Sequence, residues 1–388
     1  MMAKPGMVVP LDAEQERRAR RLHDASIVID TMADGPALFP AGIRAQIHRG
    51  LAGGKTAIDV IAQMQGPILH DLVTNAETRT AYLDAWDAAG VTCVSTTQGG
   101  LGTPPFSYES GLDAIAHTTR LLDALPDHLV KATRAADIRR AKQERKHALV
   151  LNFQNTTHFG LDWRALERFV DLGVRVIQLT YNTRNFVGDG CTERTDAGLS
   201  RFGIELVRRL NEMGVLIDLS HCGLQTAWDA VRASKKPVAC THTFCLTLSK
   251  HDRGKPDDLL RAVADAGGYV GILVVPFFIS DRPDVPLEVA VDHLEHVIEV
   301  CGIDHVGIGT DWGTAFPGEL ADKLNEEMNV IGFRPEHRVD WRAQLPDYRT
   351  WEDWPNITRR LVQRGFSDQD IGKILGLNFL AVFERVVG

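Results

Sequence analysis

Four side chains in this sequence stand where metal chemistry would need them. His221 closes the apolar run LIDLSH, His242 closes PVACTH, Asp311 closes HVGIGTD, and Asp34 closes VIDTMAD. Neutral imidazole and carboxylate are the usual ligands of zinc and similar divalent ions. An ion so held lowers the pKa of bound water and polarises a carbonyl. One histidine at a strand end is more often a hydrogen-bonded structural residue. Two histidines and two carboxylates, each at the end of a separate run, reverse that preference.

The elements that must bring them together are legible as eight short β-branched runs, at residues 26–31, 91–97, 148–153, 174–180, 215–220, 237–241, 269–275 and 305–310. Amphipathic helical patterns separate them, for example at 202–213, 224–233, 257–266 and 287–300. Strands alternating with helices indicate parallel βαβ units. Runs such as VRVIQLT and GVLIDLS are apolar almost throughout, as suits strands buried on both faces. The expected fold is α/β, a (β/α)₈ TIM barrel, with a doubly wound open sheet as its competitor. In a barrel, chemistry sits at the carboxyl ends of the strands, where all four side chains would converge. Residues two apart on a strand share a face, so Cys240 is expected to point with His242 and Met32 with Asp34. Thiolate or thioether ligation is weighed against simple core packing there, and core packing is preferred.

The whole chain, 1–388, reads as a single barrel domain with an N-terminal helical extension over about residues 1–25. Two long connections, 35–75 and 313–354, follow the first and last strands and would cover the catalytic face. The alternative is rim packing or contact between copies in a homo-oligomer. The first connection contains GLAGGK, which lacks the spacing of a phosphate loop. Neither G-x-S-x-G nor H-E-x-x-H occurs.

Composition excludes several classes. A net charge of −8 disfavours nucleic acid and anionic membrane as partners. No apolar run reaches the length of a membrane span, and the N-terminus has no apolar signal core. The six cysteines form no C-x-x-C pair. Free thiols and a cytoplasmic location are the simplest expectation. The expected partner is a small-molecule substrate.

These residues lie within a longer likeness. The runs GVRVIQLTYN, GLSRFGIELVRRLNEMGVLIDLSHCG, SKKPVACTHT, HDRGKPDDLLRAVADAGGYVGI, HVGIGTDW and GLNFLAVF resemble the renal (membrane) dipeptidase family of metal-dependent hydrolase barrels, in order and spacing, over roughly 173–383. The resemblance implies a metal centre, usually of two zinc ions, that cleaves dipeptides or similar small amides. It makes His221 and His242 ligands of one metal and Asp311 the proton acceptor beside the attacking water. It makes Arg253, in HDRGKPDD, the group that binds the substrate carboxylate, a task suited to a bidentate guanidinium.

Three positions depart from the family. Its first strand ends in a His-x-Asp pair, where this chain reads Met32-Ala33-Asp34. Its bridging glutamate is Gln154 here, and its carbonyl-contacting histidine is Tyr181. Losing an imidazole and a bridging charge weakens the first metal position most. The expectation is therefore one zinc ion rather than two, or none. His221 and His242 would form its core, completed by Asp311 and Asp34. Tyr181 would donate a hydrogen bond to a developing oxyanion. Hydrolysis of dipeptides or small amides is the leading reading. The alternatives are a lyase, isomerase or decarboxylase reaction on the same scaffold, and a non-catalytic protein that binds a small molecule.

Overall fold

The computed structural model describes residues 6–100, 108–282 and 284–388. Among these, nine strands form: β1 (Ile29–Asp30), β2 (Cys93–Thr97), β3 (Leu129–Lys131), β4 (His147–Phe153), β5 (Val174–Gln178), β6 (Leu216–Asp218), β7 (Ala239–Thr243), β8 (Tyr269–Ile272) and β9 (Val306–Ile308). Eight follow one another in the order β1-β2-β4-β5-β6-β7-β8-β9, each pair parallel. The circle closes between β9 and β1. Thr31 N donates to the Ile308 carbonyl at 3.1 Å, and Asp311 N donates to the Met32 carbonyl at 2.9 Å. An open sheet would leave those two edges unpaired, so the fold is the (β/α)₈ barrel. β3 is an addition that the sequence runs did not suggest. It pairs with the start of β4 at residues 147–149.

Strand alternation separates two apolar clusters. Ile29, Cys93, Ala148, Val150, Val176, Leu216, Ala239 and Tyr269 pack with Phe379 and Phe383 from the helix Asn378–Val387, which floors the barrel. Intervening residues such as Val94, Leu149, Ile177, Ile217, Cys240 and Val270 join the larger cluster between sheet and helices. Truncating Phe383 to alanine would cost about 3–5 kcal/mol, the usual loss for a buried phenylalanine.

Two residues further along each strand the buried positions turn polar: Thr31, Ser95, Asn152, Gln178, Asp218 and Thr241. Some pair with one another, as Asn152 Nδ2 does with Ser95 Oγ at 2.9 Å and Thr241 Oγ1 with Asp218 Oδ2 at 2.7 Å, while Asn152 Oδ1 and Gln178 Oε1 are buried without partners. On β8 and just beyond β9 the matching positions are Gly271 and Gly309. A Cβ at either would collide with the Thr241 carbonyl and the Thr31 hydroxyl. This polar layer supports the mouth above it.

The connection 35–75 is helical rather than loop-like, with helices Ala41–Ala52 and Ala57–Thr74. The connection 313–354 carries the helix Gly318–Glu327 and short 3₁₀ turns, including Met328–Ile331. The two meet each other. Ala57 N donates to Glu327 Oε2 at 2.7 Å, and Phe39 packs on Phe316 at 5.9 Å between ring centroids. The N-terminal helix Ala13–Ala25 starts in an Asp12 capping box and is tied to the helix Pro355–Gln363 by the Arg359–Glu16 ion pair at 2.9 Å.

Candidate metal centre

His221 follows β6, His242 lies within β7, and Asp311 follows β9. Each offers a ligand atom, and these atoms lie within 4.8 Å of one another. The two imidazole centroids are 5.0 Å apart. Both rings are buried, and the Nε2 of each is buried without a hydrogen-bond partner. A buried polar atom left unpaired costs about 1–3 kcal/mol. Two such atoms facing a carboxylate are the signature of a cation site, and the donor set fits a divalent ion.

The electrostatics keep both imidazoles neutral, the form that ligates. Burial is the largest cause holding each far below the usual histidine range, and the nearby Arg253 and Lys255 charges add to it. The free nitrogen of His242 is set by a relay. Asp218, in the polar layer, accepts from Ser220 N (3.1 Å), Ser220 Oγ (2.6 Å), Thr241 N (2.9 Å) and Thr241 Oγ1 (2.7 Å). With its proton committed to Asp218, Thr241 Oγ1 accepts from His242 Nδ1 at 2.9 Å. That assignment follows from the hydrogen-bond network and leaves the Nε2 lone pair for a ligand.

β7 also shows why simple alternation failed. Its register shifts between Cys240 and Thr243. Cys240 packs in the outer cluster between sheet and helices instead of sharing a face with His242. Bulges of this kind re-aim side chains beside active sites.

Asp311 has a left-handed backbone, with φ of 52°. Only a few per cent of non-glycine residues adopt it, and aspartate tolerates it better than most. Burial pushes its carboxyl up to about 7, against the pull of Arg253, with Asp34, Asp30 and Asp218 adding to the rise. Asp30 pins the preceding residue, accepting from Thr310 N at 2.8 Å and Thr310 Oγ1 at 2.6 Å.

Tyr181 stacks on the His221 ring at 4.0 Å and 20°. Burial, reinforced by the Asp311 charge, raises its hydroxyl well above the usual tyrosine range. Arg253 is fully buried. Its guanidinium donates to the carbonyls of Ser220 and, at 2.9 Å, His242, so it ties together the two strand ends that carry the histidines. Its Nε has no partner.

Asp34 stands outside the three-residue group. Its carboxylate, open to solvent, accepts from Thr96 Oγ1 and Thr97 N, each at 3.1 Å. Met32 and Gln154 meet at the same threonine. Gln154 Nε2 donates to Thr97 Oγ1 at 2.8 Å, and Thr97 Oγ1 lies 3.6 Å from the Met32 sulfur. The three side chains form a neutral cluster in which Gln154 Oε1 is buried without a partner.

Sequence reasoning missed Asp218, Thr241 and Asn182, whose Oδ1 lies 2.7 Å from His221 Nδ1. Asp218 left a signal, being a lone carboxylate inside the apolar run LIDLS. Asn182 left none beyond its place beside Tyr181.

Residues 16–328 match the membrane dipeptidase family (peptidase family M19). An uncharacterized protein in the pqqA 5′ region of Klebsiella pneumoniae is 32% identical over 244 residues, 59% of this chain and 88% of that one. Dipeptidase tcpJ of Claviceps purpurea is 28% identical over 270 residues, 69% of this chain and 57% of its own length. The crystal structure of an amidohydrolase from Pseudomonas aeruginosa superposes with a TM-score of 0.74 at 28% identity, covering 95% of this chain and 99% of that one.

Proposed function

The chain belongs to the membrane dipeptidase family, and from that premise we propose that it hydrolyses dipeptides or related small amides with one divalent ion, zinc, at the barrel mouth. The observation that carries this reading is the pair of buried, unpartnered Nε2 atoms beside Asp311. His221 and His242 would hold the ion, with Asp311 completing the set. When bound, the ion supplies Lewis-acid polarisation of a carbonyl and a more acidic water.

The chain's own residues do the rest. Asp311, with a carboxylate oxygen within 4.8 Å of the ligand atoms of both imidazoles, is placed to take a proton from water and pass it to the leaving amine. Tyr181 keeps its proton at neutral pH and donates to the developing oxyanion. Arg253 brings a fixed positive charge and an uncommitted Nε–H for the substrate carboxylate. Asp34 hydrogen-bonds Thr96 and Thr97 and stands outside the ligand group.

One ion rather than two follows from the neutral Met32–Thr97–Gln154 cluster. Two doubly charged ions about 3.5 Å apart repel by on the order of 20 kcal/mol at an effective dielectric near 20, and an anionic bridge must offset that. Among the described residues no helix is long and apolar enough to cross a membrane, and all six cysteines are free. A reducing, cytoplasmic setting suits such thiols.

The test is elemental analysis of protein equilibrated with zinc, followed by a dipeptide panel read by amine release. The expected result is one ion per chain with turnover. Two ions would remove the single-ion reading. Zinc without turnover of any dipeptide would favour a different reaction on this barrel. No zinc at all would overturn the proposal.

A further inference from the structure

Asn182 is fully buried, sits in the left-handed region with φ of 56°, and has both ends of its amide committed. Its Nδ2 donates to the Ile331 carbonyl at 2.8 Å, and its Oδ1 lies 2.7 Å from His221 Nδ1. A carbonyl can only accept, so Ile331 dictates which end of the amide is NH₂. The end left for His221 is an oxygen, which also only accepts. His221 must then carry its proton on Nδ1 and present the Nε2 lone pair to the mouth. With the amide reversed, two acceptors would oppose each other at Ile331.

We infer that Asn182 is a positioning residue which fixes His221 in its metal-accepting tautomer, and that the Met328–Ile331 turn of the long C-terminal connection sets it. The inference rests on the zinc site proposed above. The turn is held against Asn182 by close packing. Gly332, with φ of 88°, follows it, and a Cβ there would come within 2.6 Å of Thr183 Cγ2 and 3.2 Å of Asn182 Cβ. Thr192 secures the Asn182 backbone, donating to its carbonyl from N at 2.9 Å and from Oγ1 at 3.0 Å. Cys191 Sγ, 3.4 Å from Oδ1, uses the second lone pair of that oxygen and leaves the one facing His221 free. The connection that crosses the catalytic face thus reaches a metal ligand through one amide, with no ligand of its own.

The experiment uses the full chain and three variants. Asn182→Leu removes both amide bonds, and Gly332→Ala pushes the turn away without touching a ligand. Gly365→Ala is the control, since it also has a positive φ but open space around its Cβ. Zinc affinity is measured by competition with a chromophoric chelator. The His221 tautomer is read in zinc-free protein from ¹⁵N-histidine spectra, with its signal assigned by its loss in His221→Gln. Asn182→Leu and Gly332→Ala should each weaken zinc about 10–100-fold, the usual effect of losing a group that orients a ligand. Gly365→Ala should leave affinity unchanged. The parent should show Nδ1–H at His221, and both variants should lose that pattern. An Nε2–H parent, or parental affinity in either variant, overturns the inference. Asn182→Asp covers the case in which Gly332→Ala does not fold. It keeps an acceptor for His221 but loses the donor to Ile331, so the Nδ1–H signal should persist while the melting temperature falls. A parent that shows the Nδ1–H pattern yet takes up no zinc would refute the metal reading and leave the positioning role standing.

Discussion

Rebuilding the first metal position is the sharpest test of why this site should hold one ion. The perturbation is Met32→His with Gln154→Glu. Without metal it should destabilise the fold. The bond from Gln154 Nε2 to Thr97 Oγ1 is lost, at about 1 kcal/mol. A new carboxylate also enters a mouth where burial already raises the carboxyl of Asp311, adding about 1–3 kcal/mol. Unfolding entropy of roughly 2.1 cal/mol/K per residue over 388 residues amounts to about 0.8 kcal/mol/K. A loss of about 3 kcal/mol therefore lowers the melting temperature of the zinc-free variant by about 4 °C. With zinc at a thousand times its dissociation constant, a second site returns about 4 kcal/mol, which more than offsets the loss. Calorimetry with and without zinc, paired with elemental analysis, reads both numbers. The parent should gain stability from one ion and the double variant from two. A parent that already binds two ions would refute the reasoning, as would a double variant that binds one and melts like its parent.

Asp218→Asn removes an acceptor for Thr241 and breaks the relay to His242; zinc should weaken about 10–100-fold, with a stability loss of about 2–3 kcal/mol by urea titration. Tyr181→Phe should lower kcat about 10²–10³-fold with little change in KM; an unchanged kcat, or a rise in KM alone, would deny its hydroxyl a role at the oxyanion. Burial, with His337 as the next cause, holds the His251 imidazole down to about 4. A depressed folded pKa contributes stability above the unfolded value near 6.5 that is lost as pH falls toward 4. Urea midpoints should therefore drop between pH 6.5 and 4, and His251→Phe should flatten that drop.

Much of this architecture was legible because its physics is local. Most barrel strands contain or adjoin a short apolar run, and the candidate ligands sit one or a few residues past its end. β3 was not, since three residues reading Leu-Val-Lys carry too little pattern. The helix Ala57–Thr74 was hidden by Gly66 and Pro67 inside it, which interrupt an otherwise amphipathic segment. Cys240 was assigned the wrong face because a bulge breaks the two-residue period, and nothing local announces it. The convergence of His221, His242 and Asp311 follows from closing the sheet. The choice of which nitrogen each imidazole presents does not, because it depends on Asn182 reaching His221 and Asp218 reaching Thr241 across gaps of 39 and 23 residues.

The left-handed backbone at Asp311 bears on how an inactive form of this protein should be made. Alanine, the habitual choice for silencing a carboxylate, is poorly suited to that conformation and would add about 1 kcal/mol or more of backbone cost to whatever chemistry it removes. Loss of turnover in such a knock-out would mix a displaced loop with a missing proton acceptor. Asparagine shares aspartate's tolerance for the conformation and nearly its shape, so Asp311→Asn separates the two effects and is the form to use for trapping substrate in crystals.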